Sequence, residues 1–208
     1  MSKIKEINVR KSKPSANTAL RSIVEHACGV LMAKEADLNA LDAKVGDGDT
    51  GSTIATAARN LKSGLSSMPL ANTSEFFAAL SGTLSKTMGG SSGVLLAILF
   101  AAAGSAAARE TWASALQIGL ARMMEYGGAE PGDRTMIDAL EPALAALVSG
   151  KPLAEAASAA RHGANATARM TRARAGRSTY VSATNLEGII DPGAEAVACL
   201  LEELARQK

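Results

Sequence analysis

The chain of 208 residues is 47% hydrophobic and 20% charged, with a formal net charge of +2, the balance of one globular domain in water. So small a positive surplus excludes a surface built to hold nucleic acid, and the polar, basic start MSKIKEINVRKSKPSAN lacks the apolar core of a secretory signal. Aromatic residues make up 3% and alanine abounds, which favours helix over strand and predicts an all-α protein.

Residues 1–13, with Lys3, Lys5, Arg10, Lys11 and Lys13, read as a flexible N-terminal arm, and 14–208 as the helical domain. Apolar periodicity and the Gly, Pro and Ser clusters then predict eight helices, over 16–40, 52–64, 75–87, 92–107, 111–126, 135–148, 153–172 and 193–206. The first has a weak point near Lys34–Asp37. The run GVLLAILFAAAGSAAA at 93–108 is shorter than the ~20 residues of a membrane span and reads as a buried helix. A cytoplasmic protein with no membrane association is therefore expected. Cys28 and Cys199 sit in apolar helical patterns and read as buried free thiols. In the last helix Val197, Leu200, Leu201 and Leu204 form one stripe.

Four of the seven connections carry unusual chemistry. DAKVGDGDTG is the first, TMGGSSG the third, YGGAEPGDRTM the fifth and ARAGRSTYVSATNLEGIIDPG the seventh, while the connections between them are bland. In an up-and-down arrangement alternate connections lie at the same end. The four then gather at one end of an antiparallel bundle and form a single site.

VGDGDTGST, residues 45–53, satisfies the spacing of a dinucleotide fingerprint, and nearly that of a P-loop with Ser52 in the lysine position. The segment before it reads as helix rather than strand, against the first; the missing lysine is against the second. Two carboxylates ~5 Å from a phosphate would each repel it by roughly 3 kcal/mol at an effective dielectric near 20. A cation between them resolves the conflict. Asp42, Asp47 and Asp49 supply the hard oxygens that Mg²⁺ shares with phosphate. An EF-hand fails because Ala58 stands where its final glutamate belongs.

In the third connection the amides of Gly89, Gly90, Ser91 and Ser92 open a helix and form an anion site. The fifth offers Gly127 and Gly128 for close approach to a flat ligand, Met136 to pack on a base, and Asp133 to cap the next helix. In the seventh, Arg177 has the fork that pairs with phosphate oxygens, and Asp191–Pro192 reads as N-cap and first residue of the last helix. His26 and His162 lie in helical patterns and read as structural.

LDAKVGDGDTG, MGGSSG, GAEPGDRTM, AGRSTY and DPGA, in this order, resemble the nucleotide-binding L subunit or domain of dihydroxyacetone kinases, from about Ala16 to the C-terminus. The resemblance implies a barrel of eight antiparallel helices with Mg–nucleotide (ATP or ADP) at one end. It implies that Asp42, Asp47 and Asp49 hold two Mg²⁺ ions. Thr50, Gly51, Ser52, Thr53, Gly90, Ser91 and Ser92 would lie near phosphate, and Gly127 and Met136 near the nucleoside. Arg177 and the turn Asp191, Pro192, Gly193 would complete the site. In such kinases the ketose sits on a K subunit or domain, which becomes the expected partner; the acceptor can be a triose or a tetrulose. One branch of the family uses ATP as an exchanging substrate. The other keeps ADP as a cofactor recharged by a phosphotransferase-system protein and typically reads GDADHG, so GDGDTG with Thr50 resembles the ATP-using branch. Some relatives instead report to a transcription regulator. The oligomeric state stays open, a homo-oligomer included.

Overall fold

The structure, a computed structural model, describes residues 16–207; the expected arm at 1–13 lies outside them. Ten α-helices follow one another: α1 Ala16–Ala33, α2 Glu35–Asp42, α3 Thr50–Gly64, α4 Thr73–Thr87, α5 Gly90–Ala106, α6 Trp112–Gly127, α7 Ile137–Val148, α8 Leu153–Thr167, α9 Ala183–Leu186 and α10 Pro192–Arg206. There is no strand among the described residues. None of the described helices is long and apolar enough to cross a membrane.

The helix ends follow local chemistry. Asn72 accepts hydrogen bonds from the Ser74 and Glu75 amides ahead of α4, and Thr111 from the Ser114 amide ahead of α6. Gly128 closes α6 in the left-handed conformation at φ 67°. Asp191 caps α10 by accepting from the Ala194 amide, with Pro192 as its first residue, as the sequence predicts.

Helices α1 and α2 pack on α3, α3 on α4, and so on in chain order to α8; α8 packs on α10, and α10 closes the ring on α1. This is the expected antiparallel barrel. One half is filled by large side chains from α1, α3, α4 and α5 and the turn after α3, including Leu65, Phe76, Phe77 and Leu84. In the other half buried alanines make the contacts: Ala139 and Ala143 of α7, Ala156, Ala160 and Ala164 of α8, and Ala194 and Ala198 of α10. Small side chains bring these helix axes close together. At Gly163 of α8 a Cβ would strike the Asp138 carbonyl. That carbonyl belongs to the residue four before Pro142, which has no N–H to offer it.

The helix expected over 16–40 is α1 and α2, broken at Lys34, within the weak point the sequence marks; Lys34 leaves the helical region at ψ 3°. The break lets α2 lie on α3, where Gly51 meets the Glu35 carbonyl so closely that a Cβ would have no room. The helix expected over 153–172 stops at Thr167. There the buried Thr167 hydroxyl donates to the Ala164 carbonyl at 2.6 Å and accepts the Asp191 amide at 2.8 Å, pinning the end of α8 to the start of α10. The short α9 inside the seventh connection was not anticipated; its four residues bury only Leu186.

Candidate functional site

The first, fifth and seventh connections meet at one end of the barrel. Buried Ser178 donates to the Val45 carbonyl at 3.0 Å, and Val45 packs with Ala173 and Leu186 in a small apolar cluster. The Arg174 amide donates to the Asp133 carbonyl at 3.1 Å. A Cβ on Gly193 would stand 3.2 Å from Cβ of Met136. The third connection opens α5, whose antiparallel packing on α6 places it beside Gly127. The alternation of loop chemistry along the chain is thus an alternation of ends.

Asp42, Asp47 and Asp49 converge, each offering a carboxylate oxygen within 4.8 Å of the others. Asp42 is buried; its Oδ2 accepts the Asp49 amide at 3.0 Å and the Thr50 amide at 3.1 Å. One carboxylate therefore folds the loop and starts α3. Asp47 and Asp49 are exposed. Desolvation first, and then the Asp47 charge, push the Asp49 carboxyl above its ordinary value. Like charges this close call for a cation. Three carboxylates supply the hard oxygens that Mg²⁺ takes, so by their chemistry the residues fit the ion the sequence implies. Arg177 reaches across from the seventh connection, its Nη1 3.0 Å from Asp47 Oδ2, with its side chain 68% exposed.

The other expected site residues divide. Thr53 stands in the first turn of α3, its amide on the Asp49 carbonyl. Ser52 faces α2: its amide donates to Asn39 Oδ1 at 3.0 Å and its hydroxyl accepts from Asn39 Nδ2 at 2.8 Å. Gly51 is buried against the same helix, so its bareness serves packing. Gly90, Ser91 and Ser92 form the first turn of α5, which has no side-chain cap and so presents free amides. Gly127 packs its bare Cα on the Leu95 side chain and is otherwise exposed. Met136 is half-buried; Asp191 and Pro192 are buried and Gly193 half-buried in the adjoining turn.

Asp133 does not cap α7. Its carboxylate accepts the Glu130 amide at 2.8 Å and closes its own turn. Asp138 takes the capping part from inside the helix, accepting the Gly132 amide at 2.6 Å and the Thr135 amide at 2.8 Å. Cys28 is buried as expected; Cys199 is half-buried beside Glu195 and Arg161, and both thiols are free. Sequence reasoning missed Arg134, buried at 1% exposure between the fifth and seventh connections. Its place in GDRTM gave no signal, because a turn arginine ordinarily points to solvent.

Burial pushes the Asp191 carboxyl up to about 6, against the Ala194 amide and the Arg134 charge, which pull it down; Asp138 adds to the rise. A carboxyl raised in the folded state contributes stability that is present below its ordinary value of 3.8 and is lost as pH rises through about 6. Asp191→Asn keeps an acceptor for the cap and cannot ionise. Relative to that variant, the protein should lose up to roughly 3 kcal/mol of stability between pH 4 and pH 7, read by urea denaturation at both. A difference that does not change with pH would show Asp191 ionised throughout.

Comparison with known proteins agrees with this geometry. The model of the DAK2 domain family matches residues 44–206. A dihydroxyacetone kinase of Citrobacter freundii is 48% identical over 200 residues, covering 94% of this chain and 36% of that protein. The human triokinase/FMN cyclase is 38% identical over 203 residues, 91% of this chain and 35% of the relative. The chain thus spans about a third of the length of these relatives. The crystal structure of the C. freundii kinase in its native form matches with a TM-score of 0.82 at 44% identity, over 100% of this chain and 38% of that one. The same enzyme in complex with AMP-PNP and Mg²⁺ matches at 0.80, over 37% of that chain. With the family model covering most of the chain and the barrel reproduced in the solved structures, the chain belongs to the DAK2 domain family.

Proposed function

We propose that this chain is the nucleotide-binding L part of an ATP-dependent dihydroxyacetone or ketose kinase, presenting Mg–ATP to a hydroxyl of a triose or tetrulose held on a K subunit or domain. The observation that carries this reading is the aspartate triad with Arg177 lying across it. The complex of the C. freundii kinase with AMP-PNP and Mg²⁺ supports it.

Asp42, Asp47 and Asp49 would hold the Mg²⁺, as a pair of ions in the reading taken from the family resemblance; when bound, the metal neutralises charge on the β- and γ-phosphates. Asp42 keeps the loop in register through its two amide contacts. Arg177 turns from Asp47 to the transferring phosphoryl group. The α5 amides of Gly90, Ser91 and Ser92 donate to phosphate oxygens, beside Thr50, Gly51, Ser52 and Thr53. Met136, Gly127 and the Asp191–Gly193 turn bound the nucleoside. In the transfer the bond from the γ-phosphorus to the ADP oxygen breaks as the acceptor hydroxyl oxygen bonds to phosphorus, and the hydroxyl proton passes to solvent water.

A second reading, ADP as a bound cofactor in a phosphotransferase relay, is disfavoured by Thr50. The two are separated by loading the protein with Mg²⁺ and labelled ADP, desalting, and chasing with excess ATP. Release within minutes is expected for exchanging substrate; label retained for hours would mean a resident cofactor.

A further inference from the structure

Arg134 combines three features that each work against stability. Its backbone lies at φ 64°, the one described non-glycine residue with positive φ. Its side chain is 1% exposed. Its Nε and Nη1 have no hydrogen-bond partner among the described residues, and burial draws the guanidinium below its ordinary value. A glycine in the turn would relieve the strain, and an apolar residue would fill the space without a buried charge. A residue kept under such strain points to a task beyond folding.

The contacts show where that task lies. Nη2 donates to the Ile189 carbonyl at 2.7 Å, two residues before Asp191. The charge also acts on the Asp191 carboxylate, the cap of α10. The seventh connection is long, from Ala168 to Asp191, and is tied down at a handful of points: Gly188 to Ala168, Ser178 to Val45, Arg174 to Asp133, Arg177 to Asp47, and Asp191 to Thr167 of α8. Of these and the Arg134 strut, only the strut joins the fifth connection to the strand of chain leading directly into Asp191–Gly193. Gly193 in turn meets Met136, two residues from Arg134.

Resting on the function proposed above, we infer that Arg134 is a positioning residue for the nucleoside end of the site: it sets the distance between the Met136 side and the Asp191–Gly193 turn. It does so through Ile189 and Asp191. The phosphate end, built on Asp42, Asp47, Asp49 and Arg177, does not depend on it. The two ends of the ligand should therefore respond differently to its removal.

The test uses the full chain and its Arg134→Met and Arg134→Lys variants, with Mg–ADP, Mg–GDP and Mg–pyrophosphate as probes. The expected result for Arg134→Met is a loss of about tenfold or more in Mg–ADP affinity and a narrower preference for ADP over GDP. Mg–pyrophosphate affinity should stay unchanged, because that probe has no nucleoside. Arg134→Lys, which keeps the charge, should recover part of the loss; should Arg134→Met not fold, the lysine variant is read by the same three affinities. Unchanged Mg–ADP affinity, or an equal loss for all three probes, would overturn the inference. Failure of the unsubstituted chain to bind Mg–ADP would instead overturn the nucleotide-site reading beneath it.

Discussion

Asp47→Asn combined with Asp49→Asn should abolish Mg–ATP binding while the helical circular dichroism persists. Both carboxylates are exposed, and the loop's register is held by Asp42, which the double variant keeps. The fold therefore has little to lose. The candidate site loses two of its three carboxylates, and Mg²⁺ relies on charge and hard oxygen for its affinity. Altering residues that merely orient metal ligands already costs 10–100-fold, so the loss of two ligands should exceed roughly 100-fold, read by calorimetric titration with Mg–ATP. Unchanged nucleotide affinity in this variant would end the metal-clamp reading. The comparison also separates two possible reasons for the acidic loop. If the carboxylates only repelled phosphate, their removal would tighten binding.

Arg177→Ala is expected to lower turnover by about 10²–10⁴, the range spanned by arginines that stabilise a transferring phosphoryl group. The side chain is 68% exposed and pairs with Asp47 at 3.0 Å, so its removal costs the fold little. Its reach over the triad is the ground for the proposed part in transfer. The measurement is steady-state phosphorylation of dihydroxyacetone with a dihydroxyacetone-binding K partner supplied. Loss in kcat with a smaller change in the KM for ATP is the expected pattern, because charge on the phosphoryl oxygens shifts most in the transition state. A fall of tenfold or less would make Arg177 a structural residue of the seventh connection.

The gathering of the unusual connections at one end of the barrel was legible because helices impose a period and connections carry punctuation. Gly, Pro and Ser clusters located the turns, and alternation along an antiparallel ring brought the candidate site's loops together. Asp191–Pro192 was legible for a local reason, since an acid before proline at a helix start is a matter of neighbouring backbone amides. What escaped depended on contacts distant in sequence. Thr167 ends α8 because Asp191 lies beside it. A linear reading offers Asp133 as the cap of α7, and only the folded turn assigns the Gly132 and Thr135 amides to Asp138. Gly127, read as a glycine for close approach to a ligand, also packs against the Leu95 side chain of α5. Arg134 was illegible for the strongest reason: burial of a guanidinium is a property of the assembled loops.

The most direct measurement is the affinity for ADP as a function of free Mg²⁺, by calorimetric titration of the unsubstituted protein with and without EDTA. The account predicts that ADP binds with Mg²⁺ present and that binding is lost when the metal is chelated, because three carboxylates otherwise face the diphosphate. ADP affinity that is the same in EDTA would contradict it: the aspartates would then not be holding phosphate through a metal.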